Sequence, residues 1–76
     1  DVYKRQYSKD DCLYCDHARN LLKRLGKEFI EYKLGKDFSR DLIMEVFPTA
    51  RTFPIITLDK NYIGGYNELS EIAKGW

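Results

Sequence analysis

Apolar residues recur along this chain with two different periods, and the changes of period mark its elements. After Asp10-Asp11 the spacing becomes helical. Ala18, Leu21, Leu22 and Leu25 form one stripe, while Arg19, Asn20, Lys23 and Arg24 face away, and Gly26 is the expected stop. Phe29 to Leu34 alternates instead, with Ile30, Tyr32 and Leu34 set against Glu31 and Lys33, which predicts a strand. A second helix is expected from near Ser39, with Leu42, Ile43, Val46 and Phe47 on its inner side and Pro48 ending it. Phe53-Pro54-Ile55-Ile56-Thr57-Leu58 is nearly continuous in its apolar character, as in a strand buried on both faces. Asp59-Lys60-Asn61 reads as a tight turn, Tyr62-Ile63 as the returning strand, and Gly64-Gly65 as its break. A last helix from about Asn67 carries Leu69, Ile72, Ala73 and Trp76 at i, i+3, i+4 and i+7. Val2 to Ser8 takes the place of a first strand, although Lys4-Arg5-Gln6 makes it unusually polar. The resulting order, β-α-β-α-β-β-α, predicts an α/β sandwich: three helices around a four-stranded mixed sheet.

Composition narrows the class of protein more than the chemistry. At 76 residues there is room for one domain, expected to span residues 1–76, with a compact core and modest stability. Thirteen basic and twelve acidic residues leave a net charge of +1, so there is no global pull toward nucleic acid or anionic lipid. No apolar run is long enough to span a bilayer, and no leader pattern opens the chain, so a cytoplasmic location is expected.

The two cysteines carry the chemical signal. Cys12 and Cys15 enclose two residues, and a disulfide closing so short a loop removes little chain entropy, so it is a poor structural staple. Zinc would need four ligands, and the chain offers two cysteines and one histidine. The remaining reading is redox chemistry. Cys12-Leu13-Tyr14-Cys15 lies where the first strand hands over to the first helix, whose first-turn amides lack intrahelical partners and carry positive partial charge. A sulfur there is favoured as thiolate, and Lys9 adds a nearby cation. Asp10, Asp11 and Asp16 oppose this, but as solvated charges they are expected to lose to the fixed helix terminus, leaving the Cys12 pKa below the free value of about 8.5. Cys12 is then the exposed nucleophile, and Cys15, one turn later and further inside, is the resolving thiol. His17, two positions beyond Cys15, reads as a solvated surface residue. Tyr14 reads either as a helix-entrance residue or as a wall for substrate.

Three segments in order extend this reading. Tyr7-Ser8-Lys9-Asp10-Asp11-Cys12-Leu13-Tyr14-Cys15 resembles the active-site segment of the glutaredoxins, and in Tyr14, Tyr66 and its short length the chain is similar to those encoded by some bacteriophages. Arg51-Thr52-Phe53-Pro54-Ile55 resembles that family's proline loop, and Ile63-Gly64-Gly65-Tyr66-Asn67-Glu68-Leu69 its double-glycine motif. The resemblance runs from Tyr7 to the last helix and implies a thioredoxin-like fold. It also implies a monomeric dithiol oxidoreductase with no permanently bound cofactor, reduced by glutathione and acting on glutathione mixed disulfides and protein disulfides. Ribonucleotide reductase is among the protein partners the resemblance suggests. In the family the bond before the proline matching Pro54 is cis, which turns the Phe53 backbone toward an extended peptide beside Cys12. Glutathione, with two carboxylates and a central thiol, would then be read by Lys9, Tyr14, Arg51, Thr52, Phe53, Pro54, Gly65, Tyr66 and Asn67. Lys9 and Arg51 would serve the glycyl end, and the amides of Tyr66 and Asn67 the γ-glutamyl end.

Four departures from the family pattern matter. Leu13 stands where many dithiol members have proline, Phe53 replaces a smaller residue, and Asn67 stands where aspartate is frequent. The fourth is Asp1 to Gln6, poor material for an inner strand, which leaves residues 1–6 expected to be frayed or foreign to the gene. Two other functions stay open at this level. One is a reductant of ribonucleotide reductase fed by thioredoxin reductase. The other is an iron–sulfur carrier, which the missing proline allows but bulky Leu13 and a second cysteine disfavour.

Overall fold

The computed structural model describes residues 4–50 and 52–76. Its elements are β1 (Lys4–Ser8), α1 (Leu13–Arg24), β2 (Ile30–Lys33), α2 (Arg40–Val46), β3 (Ile55–Leu58), β4 (Asn61–Gly64) and α3 (Tyr66–Ala73). The sheet order is β2-β1-β3-β4, with β1 parallel to β2 and the other two pairs antiparallel. This is the thioredoxin-like β-α-β-α-β-β-α sandwich that the periodicities and the resemblance imply.

Alternation along β3 divides the core in two. Ile56 points to one face and packs with Ala18, Leu21 and Leu22 of α1 and Leu69 and Ala73 of α3. Ile55 points to the other, where Ile43 of α2 and Ala50 join it, flanked by Tyr7, Phe38, Phe47 and Phe53. A strand sandwiched between helix layers must be apolar on both faces, which is why Ile55 and Ile56 read as a continuous run. Both are 1% exposed.

The inner side of α2 is narrower than its sequence suggests. Ile43 is buried, but Leu42 and Val46 are more than half exposed. A seven-residue helix alone on its face of the sheet rests on one i, i+4 row, here Ile43 and Phe47, and turns the flanking apolar side chains outward. The ends of the other stripes behave alike: Leu25, Ile72 and Trp76 are each more than a third exposed. Trp76 sits under cations, with the Lys4 and Lys27 ammonium groups 5.2 and 5.8 Å from its ring centroid.

In Lys4-Arg5-Gln6, doubtful material for an inner strand, Arg5 and Gln6 pair on both sides in β1 and Lys4 pairs with β3, while residues 1–3 lie outside the described residues. The strand accommodates this polarity with one visible defect. Gln6 is fully buried; its Nε2 donates to the Cys15 carbonyl at 2.9 Å, and its Oε1 has no partner among the described residues. Ser8, also buried, fares better because its hydroxyl donates to Glu31 at 2.7 Å. Glu31 in turn takes two bonds from Arg19, at 2.9 and 2.7 Å, and Arg19 reaches Asp16 at 2.8 Å. The alternation of β2 placed Glu31 opposite the apolar residues, and it is this side that clamps α1 to the sheet. These bonds from Arg19, helped by Ser8, hold the Glu31 carboxyl below its usual range although burial opposes them. The same two carboxylates, Glu31 first, raise the Arg19 guanidinium above its already high ordinary value.

Candidate active site

Strand β1 ends at Ser8, and the chain turns through Asp11 in the left-handed region (φ 55°) before α1 begins. Cys12 occupies the N-cap of α1 in an extended conformation, and its Sγ accepts from the Cys15 amide at 3.1 Å. That is the contact a helix entrance offers a sulfur. Cys12 and Cys15 are joined as a disulfide, with Cα atoms 5.2 Å apart. Cys12 is half-buried at the surface and Cys15 is fully buried beneath it, so the pair has an outer and an inner member.

One cleft reaches Cys12, and a second adjoins it. The first, about 330 Å³, is lined by Lys9, Cys12, Leu13, Tyr14, Thr52 and Phe53, with Arg40, Met44 and Ile55 across from them. The second, about 380 Å³, runs from Tyr14, Thr52, Phe53 and Pro54 to Gly65, Tyr66 and Asn67, with Thr49, Tyr62 and Glu68 completing it. Tyr14, Thr52 and Phe53 belong to both, so the clefts form one trough past Cys12. The sequence-derived residues Lys9, Cys12, Tyr14, Thr52, Phe53, Pro54, Gly65, Tyr66 and Asn67 therefore line one continuous surface. Cys15 lies under it, and Arg51 lies outside the described residues.

Each wall has a local cause. The Phe53–Pro54 bond is cis, as the resemblance implies. Lys9 extends over the Phe53 ring, its ammonium 5.9 Å from the centroid, and Phe53 stacks on Phe38 at 6.1 Å. On the far side Gly64 has φ +123°, a conformation that glycine adopts readily, and a side chain there would strike Glu68. Gly65 is the N-cap of α3 and lies close under Pro54, where a Cβ would stand 3.3 Å from the Pro54 carbonyl oxygen. The Glu68 carboxylate accepts from the Gly65 amide at 2.7 Å, and the amides of Tyr66 and Asn67 in the first turn of α3 have no intrahelical acceptors.

Several lining residues escaped the sequence reading. Glu68 was quoted only as part of the double-glycine motif and given no role, yet its carboxylate stands at the entrance where amides were expected to face an anion. Arg40, the first residue of α2, reaches the Cys12 cleft, a placement that depends on how α2 crosses the sheet. His17 is exposed as expected but is not merely solvated. Its ring lies 5.9 Å from Tyr14 and 5.5 Å from Tyr66, and those two tyrosines, which line the trough, stack at 6.1 Å, so His17 packs against that wall without lining the trough itself. A histidine two positions after Cys15, beside an i−3 tyrosine, was a signal that the helical spacing carried.

Comparison with known proteins agrees with this geometry. The family model for glutaredoxin matches residues 6–63. A probable glutaredoxin of Synechocystis is 34% identical over 64 residues, 83% of this chain and 73% of that protein. Glutaredoxin 1 from Francisella tularensis, crystallised with cacodylate, superposes with a TM-score of 0.79 at 23% identity, covering 95% of this chain and 92% of that one. A buckwheat glutaredoxin in complex with glutathione gives a TM-score of 0.77 at 23% identity, over 96% of this chain and 69% of that one.

Proposed function

The chain belongs to the glutaredoxin family of thiol–disulfide oxidoreductases, and from that premise we propose that it is a dithiol member fed by glutathione, reducing glutathione mixed disulfides and protein disulfides through Cys12 and Cys15. The observation that carries this reading is the trough, which runs from cations through an outer cysteine to a helix entrance. Glutathione has the matching order, with a carboxylate at each end and sulfur between them. Its glycyl carboxylate meets Lys9 and Arg40, with Arg51 in reserve from the sequence. Its cysteinyl backbone runs beside Phe53, and its γ-glutamyl carboxylate meets the amides of Tyr66 and Asn67. Glu68 satisfies the Gly65 amide, so those two remain the donors. The buckwheat complex supports glutathione as the ligand class for such a trough.

The reaction follows from the unequal burial of the two sulfurs. In the reduced chain the Cys12 thiolate is stabilised by the Cys15 amide and the partial charge of the helix entrance. It attacks one sulfur of the target disulfide, and the other sulfur leaves as thiolate. Cys15 then loses its proton and attacks the Cys12 sulfur, which closes the Cys12–Cys15 disulfide and releases the second substrate thiol. Two glutathione molecules return the pair to the dithiol and are themselves oxidised to glutathione disulfide. With a glutathionylated target Cys12 alone suffices: it takes the glutathionyl group, and a second glutathione removes it.

The test is a steady-state turnover assay on a small glutathione mixed disulfide, run once with glutathione and glutathione reductase and once with thioredoxin reductase. Turnover with the first donor and little with the second is the expected result. The reverse would make the chain a thioredoxin-reductase-fed reductant in a glutaredoxin frame.

A further inference from the structure

The cleft beside Cys12 is more apolar than glutathione requires. Beyond Lys9, Arg40 and Cys12 its lining is Tyr14, Thr52 and four apolar residues, Leu13, Met44, Phe53 and Ile55, of which Leu13 is 65% and Met44 36% exposed. In the orientation proposed above, which this inference rests on, the residue following the reacting cysteine enters this cleft. In glutathione that residue is glycine, which has no side chain to place between Leu13 and Met44. A cleft of about 330 Å³ is left with apolar walls that the tripeptide does not cover.

We infer that this cleft selects a protein substrate: an extended disulfide-bearing segment with a large apolar residue immediately after its cysteine and an acidic residue next. Three observations converge on that occupant. Any substrate of Cys12 must cross this cleft, since Cys12 is one of its walls. Leu13 and Met44 come from different elements, the α1 entrance and α2, and offer apolar surface on two sides of one side chain. Lys9 and Arg40 line the same space and favour a carboxylate beyond the apolar residue. Leucine at the position after Cys12 thus adds a recognition surface for polypeptides where a proline would give a shorter, stiffer one.

The electron balance is that of the dithiol route. The Cys12 thiolate attacks the peptide sulfur of a mixed disulfide and the small thiol leaves. Cys15 then displaces the peptide as its thiol while the Cys12–Cys15 disulfide closes.

The test uses the reduced chain in single turnover, so that no electron donor enters the measurement. The probes are blocked tetrapeptides Glu-Cys-Leu-Glu, Glu-Cys-Gly-Glu and Glu-Cys-Leu-Lys, each as its mixed disulfide with 2-mercaptoethanol, and released peptide thiol is followed by chromatography. The leucine peptide should react about fivefold or more faster than the glycine peptide, since a substantial part of its side chain leaves water. Replacing the final acid by lysine should slow it several-fold at low salt. Met44→Gln and Leu13→Gln should each pull the leucine-to-glycine ratio toward one, and taking the ratio removes any change in thiol reactivity. Equal rates for the leucine and glycine peptides, or a ratio that neither variant moves, would overturn this inference while leaving the proposed function standing. If no peptide reacts faster than with a free monothiol, the proposed function itself fails.

Discussion

Arg19 and Glu31 should be coupled strongly enough that either one alone is worse than neither. Their two hydrogen bonds, at 2.9 and 2.7 Å, are bidentate, and the side chains are 21% and 20% exposed. Exposed pairs contribute about 0–1 kcal/mol, and breaking a fully buried pair costs about 3–5 kcal/mol, so this one should fall near 2 kcal/mol. Arg19→Met leaves the Glu31 carboxylate with the Ser8 hydroxyl; Glu31→Leu leaves Arg19 with the exposed Asp16. The double variant removes both charges from the layer between α1 and the sheet, and should recover much of the loss. The assay is a double-mutant cycle in urea, followed by circular dichroism with the cysteines oxidised throughout. Because the folded-state pKa of Glu31 is depressed below its ordinary 4.5, its contribution is fully present above that value and is lost as pH falls through the folded value. The coupling should therefore hold from neutrality to about pH 5 and shrink below it. A coupling under about 0.5 kcal/mol at neutral pH, or one that persists unchanged in acid, would refute the assignment of this pair as the clamp on α1.

Other consequences follow from burial and backbone geometry. In the reduced protein, brief alkylation at neutral pH should label Cys12 well before Cys15, which is fully buried; mass spectrometry of the peptides would show it, and equal labelling would contradict the outer–inner assignment. Gln6→Leu should raise stability by about 1 kcal/mol, because removing an unpartnered buried carbonyl outweighs losing one bond to the Cys15 carbonyl. A lower urea midpoint would show that the bond matters more. Gly64→Ala should cost about 1–3 kcal/mol, since it combines φ +123° with a Cβ 2.6 Å from the Glu68 side chain, and an unchanged midpoint would refute that reading.

Where burial follows from one element's own period, the sequence was legible. Ala18, Leu21 and Leu22, the Ile55-Ile56 pair, and Leu69 with Ala73 all lie in the core their spacing predicted. The α1 entrance was legible too, because the change of period after Asp10-Asp11 puts Cys12 where strand hands over to helix, and the structure makes it the N-cap. What escaped depends on elements far apart in sequence. Leu42 and Val46 are exposed because one short helix covers that face, which no local pattern encodes. Glu31 reads as a solvent-facing strand residue until α1 is laid across the sheet and Arg19 meets it. Arg40 and Met44 join the Cys12 cleft through the packing of α2, and His17 meets Tyr66 once α3 lies beside α1. The proline loop and the double glycine were visible as motifs; their closeness, with the Gly65 Cα under the Pro54 carbonyl, is a tertiary fact.

In the proposed reaction Cys12 is the sulfur that receives the glutathionyl group. Trapping it is the most direct measurement: Cys15→Ser, reduced and then mixed with glutathione disulfide, analysed by intact mass and peptide mapping. One glutathionyl group is expected, carried on Cys12 and removable by added glutathione with release of glutathione disulfide. Cys12→Ser, treated identically, is expected to stay unmodified, because Cys15 is buried beneath the trough. Modification of Cys15 in the Cys12→Ser chain at a similar rate, or no adduct on Cys12, would contradict the central claim.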